Sequence, residues 1–190
     1  FSSAYKLTVT GASSYSLKAT SGEALIINMT LSGDGFILAE PTLGTVTISG
    51  AAGTTVDVTG EDPHTFTYDG SASLVGGLEV SATTTFSGVM GSSNGLATVN
   101  VDNGTVATFS EGVTAVTITL TGDAVFKKEV TATTIALVAG KATFNNTAAV
   151  TIAGAITDSG TTELAVTDTA DGAGALTTFS GAITVDTITI

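Results

Sequence analysis

The residue types that could do chemistry fall in two short stretches. The first is "EDPHTFTYDG", where the only histidine, His64, sits near Glu61, Asp62 and Asp69. A histidine among carboxylates is the raw material of a general base or a metal site. The rest of an enzyme is missing, however. The chain has no cysteine and no arginine, so a thiolate and a strong cationic charge stabiliser are both absent. His64, beside Pro63, therefore reads as a solvated turn residue, and no enzyme is expected. Oxygen-only cation binding is the closer match. In "TDTADGAG", Asp168 and Asp171 precede Gly172, with the Thr167 and Thr169 oxygens nearby. Calcium takes about six to eight oxygen ligands, and Asp/Gly loops supply them. Glu61, Asp62 and Asp69 form a second such group. Neither follows the EF-hand pattern, and Asp-Gly is also an ordinary turn pair, so a plain turn is the stronger reading at both. Ca2+ is the one cofactor the sequence admits.

Charge narrows the partners. The 190 residues carry 17 acidic side chains against five lysines, Lys6, Lys18, Lys127, Lys128 and Lys141, for a net charge of −12. Nucleic-acid binding needs cations on phosphates, so that class is excluded. Anionic membrane surfaces are disfavoured for the same reason. The longest apolar runs are a few residues, far short of the roughly 20 a membrane-crossing helix needs, so no membrane insertion is expected. With no cysteine, disulfide staples are ruled out.

The elements that must carry these groups are strands. "YKLTVTG", "GTVTISG", "TTVDVTG", "LATVNVDNG" and "VTITLTG" are β-branched runs closed by Gly, Asn or Asp. No window keeps a 3.6-residue period with caps. The chain is all-β. Its second half repeats: "TFSEGVTAVTITLTG" from Thr108, "VFKKEVTATTIALVAG" from Val125 and "TFSGAITVDTITI" from Thr178 each place an isoleucine nine residues after a phenylalanine. The pairs are Phe109 and Ile118, Phe126 and Ile135, and Phe179 and Ile188. "TFNNTAAVTIAG" is a shorter copy, from Phe144 to Ile152. The skipped copy falls at "TTELAVTD", which lacks the aromatic.

A period near 18 fits a β-solenoid, whose coils stack parallel about 4.8 Å apart with like residues over like. Phenylalanine and isoleucine then form inner ladders, threonine and serine face outward, and Gly112, Gly122, Gly140, Gly160 and Gly181 turn the corners. The alternative is an antiparallel β-sandwich or jelly roll with strands exchanged between subunits. Residues 1–90 keep strand spacing but lose the phenylalanine register, and so read as an irregular β region. Residues 91–190 read as the repeat region, and no linker divides the two.

The repeats resemble the β-solenoid passenger regions of bacterial surface adhesins and autotransporters, of the rickettsial outer-membrane protein B type, in their "ATF-x-G-x-V-T-A-x-x-I-x-L-x-x-G" units. Residues 108–120, 125–137 and 178–188 carry the likeness, which implies an extracellular, non-catalytic solenoid. A looser resemblance is to small Thr/Val/Gly/Ala-rich extracellular filament subunits that polymerise by donating a strand. Three N-x-[ST] sequons, at Asn28, Asn103 and Asn145, are candidate glycosylation sites. The sequence opens at Phe1, with no signal-peptide n- or h-region. That fits a leader already removed and an extracellular, cell-surface protein.

The chain ends complete the reading. Phe1, Tyr5, Leu7 and Val9 share one face of a strand over residues 1–10 that could be donated to a neighbouring copy. At the other end, Ile183, Val185, Ile188 and Ile190 lie in a β-branched strand with an unprotected edge. The expected function is a structural subunit that assembles head to tail with copies of itself into a filament, sheath or layer. The alternative is an adhesin segment that binds glycans or host surfaces.

Overall fold

The computed structural model describes residues 15–16, 27–31, 36–38, 46–50, 55–58, 67–70, 73–160, 162–167 and 176–190. They form nineteen strands and no helix. In chain order these are β1 (Tyr15–Ser16), β2 (Ile27–Leu31), β3 (Phe36–Leu38), β4 (Val46–Gly50), β5 (Thr55–Val58), β6 (Thr67–Gly70) and β7 (Gly77–Val80). Next come β8 (Thr84–Phe86), β9 (Leu96–Val101), β10 (Val106–Phe109), β11 (Val113–Leu120), β12 (Asp123–Phe126) and β13 (Val130–Leu137). The last are β14 (Ala142–Phe144), β15 (Val150–Asp158), β16 (Glu163–Val166), β17 (Thr177–Phe179), β18 (Ile183–Thr184) and β19 (Thr187–Thr189).

Three sheets run along the molecule. One has the order β1-β3-β5-β7-β9-β11-β13-β15-β17, with β18 also on β15; the second is β19-β16-β14-β12-β10-β8; the third is β2-β4-β6. Strands pair with strands one coil away, and they pair parallel. The chain is a β-solenoid. The sandwich alternative fails on this point, because a sandwich built from hairpins pairs its strands antiparallel. The ladder crosses residue 90 without a break: β7 pairs β9, and Met90 bridges Tyr68 to Val113.

Burial follows chemistry along each strand. In β11, Val113, Ala115, Ile118 and Leu120 point inward, while Val116 and Thr117 both face out. That pair of adjacent outward residues marks a bend. Before it, Val113 extends the line of Tyr68 and Met90; after it, Thr117 to Leu120 extend β9. One long strand therefore serves two walls of the coil. In β15 the same bend is one residue shorter, and Gly154 sits there at φ +118°, with the Ala132 carbonyl where a Cβ would go. No other residue fits that corner.

The expected inner ladders are present. Phe86, Phe109, Phe126 and Phe144 stack face to face with ring centroids 5.1, 5.3 and 5.4 Å apart. Ile118, Ile135 and Ile156 form a second buried column in register. Outside, Thr117 lies between Thr98 and Thr134.

Two details differ from the sequence reading. Among the described residues the phenylalanine ladder begins at Phe86, inside the region read as irregular. Phe179 is not a rung of it. Val166 takes the rung beside Phe144, as the missing aromatic in "TTELAVTD" implies, while Phe179 pairs with Ile152 on another wall and meets Phe144 edge-on at 5.4 Å. Of the five corner glycines, Gly122, Gly140, Gly160 and Gly181 lie against the backbone of another coil, whereas Gly112 has room for a side chain.

Candidate functional site

The two candidate cation groups lie largely beyond the described residues. Asp168 and Asp171, like Glu61, Asp62 and His64, lie outside the described residues. Asp69 is described, and its carboxylate is occupied: it accepts bonds from the Ser93 and Asn94 backbone nitrogens, at 3.1 and 2.9 Å, and from the Ser92 hydroxyl at 3.4 Å. These bonds pin the loop between Met90 and β9, which lengthens that coil. Among the described residues no group of three or more His, Asp or Glu is placed to hold a metal. Tyr68, its neighbour, is fully buried; burial pushes its hydroxyl well above the ordinary value, against a smaller opposing pull from the Gly77 backbone.

The donor strand over residues 1–10, with Phe1, Tyr5, Leu7 and Val9, also lies outside the described residues. The other end is in view. β17, β18 and β19 form a coil paired on one side only among the described residues. Phe179, Ile183 and Val185 cover the core from that side and are half-buried. Ile188 is in register with Leu164, yet it is 52% exposed where Leu164 is fully buried. Leu176 and Ile190 are 65% and 98% exposed. The same rung position is sealed one coil below and open here, so this end combines free strand edges with apolar side chains.

No family model matches the chain, and comparison with curated proteins and with solved structures found no match.

Beside the open coil runs a polar corner that sequence reading missed. Asp158 receives the Gly160 backbone N–H at 2.7 Å and the Asp186 N–H at 3.3 Å, and these donors hold its carboxyl below the ordinary carboxylate range. Asp158, Ser159, Gly160, Thr184, Val185 and Asp186 line an open cleft of about 520 Å³. One row along, the Lys141 N–H donates to Asp123, and the Lys141 ammonium lies 3.0 Å from Glu163. The Thr189 hydroxyl and Lys141 hold Glu163 low in turn. The signal for this corner was in the sequence: Asp158-Ser159-Gly160 aligns with the turns at Gly122 and Gly140.

The three sequons are placed differently. Asn28 lies in β2, opposite Thr47. Asn103 is exposed in the turn between β9 and β10. Asn145 is half-buried, with its backbone N–H on the Phe126 carbonyl at 2.9 Å.

Proposed function

We propose that the chain is a structural, self-associating β-solenoid of the cell surface, and that its open coil stacks on another copy. The observation that carries this is the β17–β19 end. Its rungs repeat those of the coil beneath, with Ile183 over Ile156 and Ile188 over Leu164. A coil of the same kind is what such an end fits, because parallel pairing continues the ladder and covers Ile188, Ile190 and Leu176 together. The likeness of the repeats to adhesin passenger units, and the three sequons, support an extracellular setting. The adhesin reading has less behind it: Tyr68 and the four stacked phenylalanines are turned inward, away from any sugar.

Sedimentation and electron microscopy of the purified chain across a concentration series test the proposal. The expected result is end-to-end oligomers, weakened at least about tenfold in the double variant I188K/I190K, each charge being unpaired in an apolar contact. Unchanged circular dichroism of the variant shows that the coil itself is intact. A chain that stays monomeric throughout, as it would if the open end receives further coils of its own polypeptide, overturns the proposal. So does a variant that assembles like the parent.

A further inference from the structure

We propose that Asn103 is a self-modifying site, at which the carboxamide is lost to attack by the backbone nitrogen of Gly104. Asn103 and Gly104 form the exposed tip of the corner between β9 and β10. Gly104 lies at φ +79°, and no atom stands within 4 Å of where a Cβ would be. The turn is closed from beneath by Thr105, whose backbone N–H and hydroxyl both donate to the Asp102 carbonyl, at 3.1 and 2.7 Å. Among the described residues, no hydrogen bond holds the Asn103 side chain. The reacting pair is thus free above a fixed base.

The chemistry needs only water. The Gly104 nitrogen gives its proton to solvent base and bonds to the Asn103 Cγ. The Cγ–Nδ2 bond breaks, ammonia leaves, and a five-membered imide remains. Water then adds to either imide carbonyl, opening the ring to an aspartyl or an isoaspartyl residue with one new negative charge. Glycine is the successor that crowds this attack least, having no Cβ.

The fold supplies an internal control. Asn94 and Gly95 are a second Asn-Gly pair, but one that is clamped. The Asn94 N–H is bound by Asp69 at 2.9 Å, its carbonyl accepts from the Leu74 N–H at 3.2 Å, and Gly95 is buried against Thr114 and Leu74. Ring closure there requires that loop to come away. Two other asparagine side chains are tied as well: Asn100 donates to Glu79 and Asn146 to Thr177, both at 2.9 Å. The reaction is therefore directed to Asn103 by structure as well as by sequence. It has a consequence one coil away, because Gly122 packs against the Asp102 and Thr105 carbonyls. An isoaspartyl link lengthens the backbone between them and shifts the floor on which Gly122 rests.

The test uses the full chain, produced without glycosylation and held at mildly alkaline pH. Peptide mapping should show a gain of about 1 Da at Asn103, mostly as isoaspartate by isoaspartyl methyltransferase labelling. The Asn94 peptide should change at least about tenfold more slowly, a ratio that collapses in denaturant once the clamp is gone. Gly104→Ala should slow the Asn103 reaction in denaturant too, where its effect on the folded turn is irrelevant. Native Asn103 that stays intact, or Asn94 that reacts equally fast in the fold, overturns the proposal. The outcome is independent of whether copies self-associate.

Discussion

At the scale of single residues, the phenylalanine ladder does the most to set the register. Phe126 is 1% exposed and is stacked on both faces, by Phe109 and Phe144. Truncating it removes two aromatic contacts and leaves a cavity that neighbours on rigid strands cannot fill. Phe126→Ala should therefore cost about 3–5 kcal/mol, read from the urea midpoint at unchanged slope, with Phe126→Leu recovering part of the loss. A loss below about 1 kcal/mol would mean that the coils collapse onto the gap. Phe109, Phe126 and Phe144 were legible in the sequence because their coils are nearly equal in length. Phe86 was hidden by the loop pinned to Asp69, which stretches its coil. Phe179 misled for the opposite reason: its "TFSG" copies the local sequence of "TFSE" at Phe109, yet its backbone pairs with Ile152 on a different wall. A short motif fixes which residues point inward, but not which wall of the coil they join.

At the scale of elements, corners decide how one strand passes to the next. Gly140 lies on the Gly122 backbone, and Gly160 on the Val138 carbonyl, so the corners stack as closely as the walls do. Glycine punctuation made this visible in advance. What sequence could not supply was the capping of each corner, because a carboxylate that receives N–H donors from two successive coils pairs residues far apart in the chain. Asp158 is the case in point, bound by Gly160 within its own turn and by Asp186 in the next coil. Its folded carboxyl is held below the ordinary value of 3.8. The charged form is thus favoured in the fold, and the stability it contributes is present above that ordinary value and lost as pH falls through the lower, folded one. Asp158→Asn should lower the melting temperature at neutral pH, and the difference from the parent should shrink as the solution is acidified through the carboxylate range. A difference that holds constant with pH would assign the effect to lost geometry rather than to charge.

At the scale of the whole molecule, a solenoid is a one-dimensional stack in which each coil is stabilised by its two neighbours. Most contacts run between adjacent coils, so local stability should track how many sides of a coil are covered. The buried isoleucines of β11 and β13 lie in the middle, whereas β19 shows three exposed residues in a row. Hydrogen exchange should then be slowest at Ile118 and Ile135 and fastest along Thr187–Thr189, with protection falling stepwise from β13 through β15 to β18. Equal protection across these strands would show a single all-or-none unit instead of a stack that opens from its end. The same measurement bears on assembly. If a second copy stacks on the open coil, the β17–β19 amides gain protection as protein concentration rises while Ile118 and Ile135 do not change, since their neighbours are already in place. Protection at β19 that is indifferent to concentration, in a sample that sedimentation shows to be oligomeric, would move the contact to some other face of the solenoid.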